Sequence, residues 1–261
     1  AFTGNKFEIR AVGSSQNCAG PMAVMNTMMS LQLMEFKRDV DKLIAKGTEK
    51  EEAILMVLKN YIRKSKPILF EGNNYSDEWK EEAARRGLNN FATTPEALDV
   101  LAKPLGQEFY GKSGVMNATE LDAFYNVQLH GYCTKLDIEA KALEEMVVSQ
   151  VLPAVLRYQT ELANNINALR SIDMVQSARL QLDLLKRIVT DVEAINSALK
   201  AMQTAYDNAH HAENIRAEAD IFCHQVKPQM EAIRAAVDDL EAVVDDQYWP
   251  LVKYRELLFV R

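Results

Sequence analysis

The chain has 261 residues, 48% of them hydrophobic and 26% charged, and a formal net charge of −7 at pH 7. That is apolar material for one large domain or two smaller ones, while the acidic balance and the lack of a long basic cluster speak against nucleic acid as a partner. No apolar run reaches the roughly 20 residues that a membrane span needs. The N-terminus lacks a charged-then-apolar leader, and Cys18, Cys133 and Cys223, odd in number and widely spaced, suit a reducing cytoplasm better than a disulfide framework. With only 10 Gly and 7 Pro, long helices are expected and the fold class is predicted as mainly α.

Phe2-Thr3-Gly4-Asn5-Lys6-Phe7-Glu8-Ile9-Arg10 alternates and predicts a short N-terminal β segment. Successive side chains of a strand point to opposite faces, so Lys6, Glu8 and Arg10 share one and Phe7 and Ile9 the other. A carboxylate with cations two residues to either side can bind a divalent metal through Glu8 and an anionic substrate through Arg10; it can equally be a solvated face. The chain begins within this strand and without a methionine, as a piece of a longer protein would.

Gly13–Asn17 reads as a loop, and Pro21 suits the first turn of a helix through the methionine-rich MAVMNTMMSLQLMEF. Its apolar content predicts burial, the methionines filling a core rather than forming an adaptable binding surface. The helix should reach solvent before Gly47, and a second is predicted from Glu49 to Arg63 with Ile54, Val57, Leu58 and Tyr61 on one face. Residues 67–112 are the least regular, with a turn at Gly72-Asn73-Asn74 and two short helical stretches interrupted by Pro95, Pro104 and Gly106.

Asn117 followed by Glu120 is an N-cap signature for a long helix from Ala118. Its stripe of Leu121, Phe124, Tyr132, Leu136, Leu143, Met146, Val147 and Leu152 runs to Pro153, which should kink or divide it. From Val175 the spacing is heptad-like through Ala178, Leu182, Leu185, Val189 and Val192, then slips to Ile188, Val192, Ile195, Leu199, Met202 and Tyr206. A matching stripe of Ile215, Ala219, Phe222, Val226, Met230, Ile233, Val237, Leu240 and Val244 passes Pro228. With Asp207–His211 as the turn, the two predict an antiparallel helical hairpin. The aromatic tail YWPLVKYRELLFVR is expected to dock on its own domain or on a neighbouring subunit.

Gly106–Ser113 satisfies the P-loop spacing letter for letter, but that motif works only between a buried strand and a helix that starts at the Lys-Ser. Here a helical ALDVLAKP precedes it, Glu108 and two aromatics crowd the loop, and Gly114 delays the next helix. His210, His211 and His224 match no ligand spacing for a metal, and Asp238-Asp239 and Asp245-Asp246 read as solvated helix faces.

The segment FTGNKFEIRAVGSSQNCAGPMAVMNT resembles the strand and loop near the end of the catalytic domain of type III glutamine synthetases. FYGKSGVMNATEL, LPAVLRYQTELA and YWPLVKYRELLF resemble that family's C-terminal region in the same order. The resemblance implies a catalytic-domain part at residues 1–116 and a helical extension at 117–261. It implies Glu8 as a ligand to an active-site Mg2+ or Mn2+ and Arg10 as a contact to substrate, and assigns Lys6 no clear role. The activity implied is ATP-dependent formation of glutamine from glutamate and ammonia through a γ-glutamyl phosphate, in a homo-oligomeric dodecamer of stacked hexamers. Thr3 stands about where shorter synthetases carry a basic residue for ATP. The other metal ligands and the nucleotide-binding arginines are expected upstream, so this polypeptide alone is expected to be inactive. The competing readings are a non-catalytic helical interaction module, for which Glu8→Gln changes nothing, and a P-loop nucleotide-binding protein, for which Lys112→Ala abolishes binding.

Overall fold

The computed structural model describes residues 17–73 and 76–258, so the strand expected at 2–10, with Lys6, Glu8 and Arg10, lies outside the described residues. Among the described residues the chain is helical, without strands. In chain order come α1 (Ala19–Ile44), α2 (Lys50–Ser65), α3 (Asp77–Arg85), α4 (Thr94–Ala102), α5 (Pro104–Ser113) and α6 (Ala118–Met146). They are followed by α7 (Leu152–Ser171), α8 (Arg179–His210), α9 (Ile215–Ile221), α10 (Lys227–Val243) and α11 (Tyr254–Leu257). The chain divides into two compact units, residues 1–90 with 101–121 and residues 91–100 with 122–261.

In the first unit Asn17 Oδ1 accepts from the Ala19 amide at 2.8 Å and opens α1, and Gly47, at φ +92°, supplies the left-handed turn after it. α1 and α2 pair through Val40, Ala53 and Val57, with Phe36, Leu43, Ile54 and Tyr61 packed around them. The Tyr61 hydroxyl also donates to Asp39 at 3.1 Å. Leu58, expected on this face, is instead exposed. The larger departure concerns the methionines. Met22, Met28, Met29, Leu33 and Met34 are each more than half exposed, and in that half of α1 only Thr27 is buried. Among the described residues these methionines do not fill a core. Up to Phe36 the helix carries apolar residues on most of its sides, with Asn26, Ser30, Gln32 and Glu35 among them, which suits a helix with more than one covered side.

Residues 66–113 hold three short α-helices rather than two. Pro95 and Pro104 sit in the first turns of α4 and α5, where a missing N–H is harmless, so they start helices instead of interrupting them. Arg86 organises the irregular part. Its guanidinium lies 5.9 Å from the Phe70 ring and 5.7 Å from that of Trp79, donates to the Pro67 and Leu69 carbonyls and pairs with Glu82.

The second unit holds the main core. Asn117 and Glu120 make the reciprocal capping box at the head of α6: the Asn117 side chain accepts from the Glu120 amide at 3.0 Å, and the Glu120 carboxylate accepts from the Asn117 amide at 2.8 Å. Ahead of Pro153 the helix divides into α6 and α7 without ending. A π-helical segment, Val147–Val151, joins α6 to α7, and a second, Phe222–Val226, joins α9 to α10 just ahead of Pro228. A proline ring clashes with the carbonyl four residues back and offers it no donor; one wider turn relieves both problems while the rod continues.

α8 and α10 form the antiparallel hairpin, closed along its length by Ile188, Ile195, Leu199 and Met202 against Phe222, Val226, Ile233, Val237 and Leu240. The observed seam follows the second register; of the first, Ala178 is buried and Leu185 and Val192 pack on the core, while Val189 is exposed. α8 also continues through Asp207–His210, so the reversal falls at His211–Asn214, where Asn214 caps α9 by accepting from the Ala217 amide at 2.9 Å. α8 packs on α7 as well as α10, so this is a layered bundle rather than a two-stranded coiled coil.

The tail docks on its own unit. Trp249 is buried in this core, Leu251 packs against it, and the Tyr248 hydroxyl donates to Glu161. Lys253 donates to the Glu241 carbonyl at 2.8 Å and pairs with Asp246 at 2.7 Å, placing a cation at the C-terminal end of α10.

Candidate functional site

The P-loop pattern has no structural counterpart. Residues 106–113 lie inside helix α5, and Lys112 pairs along the helix with Glu108 instead of facing a phosphate. Gly114, at φ +69°, ends the helix as its left-handed cap. The amide cradle that a phosphate needs is absent, because these N–H groups are spent on helical bonds.

The histidines serve the end of the hairpin. His210 lies 3.3 Å from Asp137 and 3.7 Å from Glu218, with its ring edge-on to Tyr206 and Phe222. His211 contacts the Asp207 carbonyl, and His224 contacts both the carbonyl and the carboxylate of Asp220. Among the described residues no three His, Cys, Asp or Glu side chains converge to hold a metal ion. They therefore do not make up the Mg2+ or Mn2+ site, and no chemistry is routed through a metal here. The three cysteines are free thiols; burial and the nearby Glu218 push the Cys133 thiol up to about 12, which makes it inert as a nucleophile.

Sequence reading missed two polar constellations of the second unit. In one, the Asp99 carboxylate accepts from Arg216 Nε at 2.8 Å and Nη2 at 3.0 Å and from the Tyr125 hydroxyl at 2.9 Å. Arg216 also pairs with Asp220 at 3.2 Å. The hydrogen bond to Asp99 is the chief cause holding the guanidinium proton more firmly than usual, and burial followed by Asp99 pushes the Tyr125 hydroxyl up to about 12. In the other, Asp137 accepts from Tyr206 and from Lys141, the latter at 3.1 Å. Burial opposes ionisation of Asp137, but these two hydrogen bonds and the nearby charges hold its carboxyl below the usual range. Partners 117 and 69 residues apart leave no mark in local spacing. Every charge in both sets has a nearby partner of opposite sign, which is the arrangement of structural clasps and not of a poised acid–base pair.

A cavity of about 330 Å³ lies beside the first π segment, lined by Leu143, Val147, Val151, Val237 and Leu251 with the Arg234–Asp238 pair at its edge. It offers no convergent set of reactive groups. No helix among the described residues is long and apolar enough to cross a membrane.

Known proteins supply what the geometry of this segment does not. Residues 53–170 match the family described as glutamine synthetase C-terminal domain. The chain is 41% identical over 265 residues to a glutamine synthetase of Bacteroides fragilis (strain YCH46), an alignment covering 100% of this chain and 36% of that protein. It is 32% identical over 265 residues to the type-3 glutamine synthetase of Dictyostelium discoideum, with the same two coverages. To a glutamine synthetase of Butyrivibrio fibrisolvens it is 28% identical over 264 residues, 99% of this chain and 37% of that protein. The chain thus spans little more than a third of the length of these relatives. Similarity runs along all of that span, and across its middle the chain matches the glutamine synthetase C-terminal domain, so it corresponds to the C-terminal region of these synthetases.

Proposed function

We propose that this chain is part of an ATP-dependent glutamate–ammonia ligase that makes glutamine from glutamate and ammonia through a γ-glutamyl phosphate. The observation that carries the reading is the 41% identity to the Bacteroides fragilis synthetase across 100% of the chain. Within it, Glu8 contributes one carboxylate ligand to a catalytic Mg2+ or Mn2+ and Arg10 a cation for the substrate, since a hard cation takes oxygen ligands and a carboxylate substrate pairs with a guanidinium. Residues 1–116 belong to the catalytic domain and 117–261 to a helical extension. The exposed apolar sides of α1 support this division, because they suit enclosure by further chain of the kind the relatives possess.

The active assembly is a cytoplasmic dodecamer of stacked hexamers, and this polypeptide alone makes no glutamine, because one carboxylate cannot hold a catalytic metal and the chain spans little more than a third of the length of its relatives. The test is ATP hydrolysis by the full-length protein, dependent on both glutamate and ammonia, in wild type and in Glu8→Gln. Collapse of activity in a variant that still folds and assembles is the expected result. Equal activity would remove Glu8 from the site, absence of activity in both would remove the ligase reading, and glutamine formation by this polypeptide alone would remove the claim that it is incomplete.

A further inference from the structure

The chain passes between the two units three times: after Asn90, after Val100 and after Leu121. The middle excursion, residues 91–100, groups with the second unit although the chain on both sides of it groups with the first. Of these residues Pro95 is fully buried, and Leu98 packs on the core of the second unit. α4 itself has nine residues, too few to be stable by helix formation alone. What adds strength and direction is Asp99, which takes a bidentate pair from Arg216 and a third hydrogen bond from Tyr125.

We propose that residues 91–100 are a reversible strap on the second unit, latched by Asp99 against Arg216 and Tyr125, and that its release lowers the number of chain crossings between the units from three to one. The latch is built to open. When Asp99 leaves, Arg216 keeps Asp220 one turn along α9 at 3.2 Å, so the guanidinium is not stranded, and Asp220 in turn keeps its contact to His224 at 3.3 Å. Both latch carboxylate and guanidinium are partly solvent-exposed, with side-chain exposures of 26% and 30%, so water can enter as they separate. Release would turn α4 into a free loop of the first unit and leave one crossing, after Leu121 in the first turn of α6.

Hydrogen exchange read by mass spectrometry on the whole chain tests this. In wild type, amides of α4 are expected to exchange through an opening faster than those of α8 and α10. Asp99→Asn and the milder Tyr125→Phe should each speed exchange in α4, the first by about tenfold or more, with α8 and α10 unchanged. Raising the salt concentration should speed α4 in wild type and not in Asp99→Asn. Exchange of α4 at the same rate as α8 and α10 in wild type would overturn the proposal. So would an Asp99→Asn variant that leaves α4 unaffected or accelerates all three helices alike, and Tyr125→Phe guards against a variant that merely misfolds.

Discussion

Asp191 on α8 is a carboxylate in the wrong place for stability. Its Oδ2 is buried without a hydrogen-bond partner, and the cation nearest to it, Arg187, is already engaged 3.3 Å from Asp239. Burial first, and the negative charge of Asp239 second, raise the Asp191 carboxyl above its usual range. The folded chain therefore holds this proton more tightly than the unfolded chain does. Between the unfolded carboxyl value, about 3.9, and the raised folded value, the native state binds more protons, so stability falls as pH rises through that window. Above it the full penalty is present; below it there is none.

Asp191→Asn removes the charge and keeps the shape, and should stabilise the second unit at pH 7.5 by about 1 kcal/mol, the low end of what an uncompensated, partly buried charge costs beyond a neutral polar group. The residue is only part-buried, and solvent screening keeps the gain at this low end. For a unit of this size that is a rise in Tm of roughly 3 °C. Scanning calorimetry of wild type and variant between pH 4 and 8 reads it directly. The advantage should shrink toward zero as pH falls through the window. A gain independent of pH, or a loss of stability at pH 7.5, would refute the reasoning.

Other substitutions probe other parts of the fold. Phe222 is fully buried between the Tyr206 and His210 rings, and Phe222→Ala should cost about 3–5 kcal/mol in urea denaturation; a loss under half of that would mean that the second π segment is not a packed part of the core. Asn117→Ala removes half of the capping box on α6 and should cost about 1 kcal/mol in the same assay. Lys112→Ala should leave thermal stability and ATP affinity by calorimetric titration unchanged, since Lys112 is an exposed side chain paired along α5; loss of a measurable nucleotide affinity would restore the P-loop.

Much of the second unit was legible because its information is periodic. Ile188 to Tyr206 and Ile215 to Val244 repeat at helical spacing, and two such stripes around one turn can bury each other only by folding back. The cap at Asn117 was legible because a capping box is local to four residues. The methionine stretch was half legible: its apolar content identified a helix, but content does not say which chain covers it, and here Met28 and Met34 are open. The latch at Asp99 was illegible, since Arg216 and Tyr125 are joined to it by the fold alone. The heptad stripe from Val175 was legible in part: Ala178 is buried and Leu185 and Val192 face the core, whereas Val189 does not, and a 3-10 turn precedes α8. Glu8 and Arg10 were read from a strand pattern together with a family resemblance, and they lie outside the described residues.

The two π segments matter for how this region tolerates insertions and deletions. Each acts as one extra residue lodged in an otherwise regular rod, and the stripes on either side, Leu136-Ala140 before and Val155-Leu162 after the first, stay on one side because of it. Remove one residue from Val147–Val151 and the wider turn closes, so that the Pro153 ring again meets the carbonyl four residues back, and each side chain beyond it swings by about 100°. Leu162 and Ile166 would then face water and their polar neighbours the core. The chain shorter by one residue would be the less stable protein, so single-residue length, more than residue identity, is what this stretch must keep.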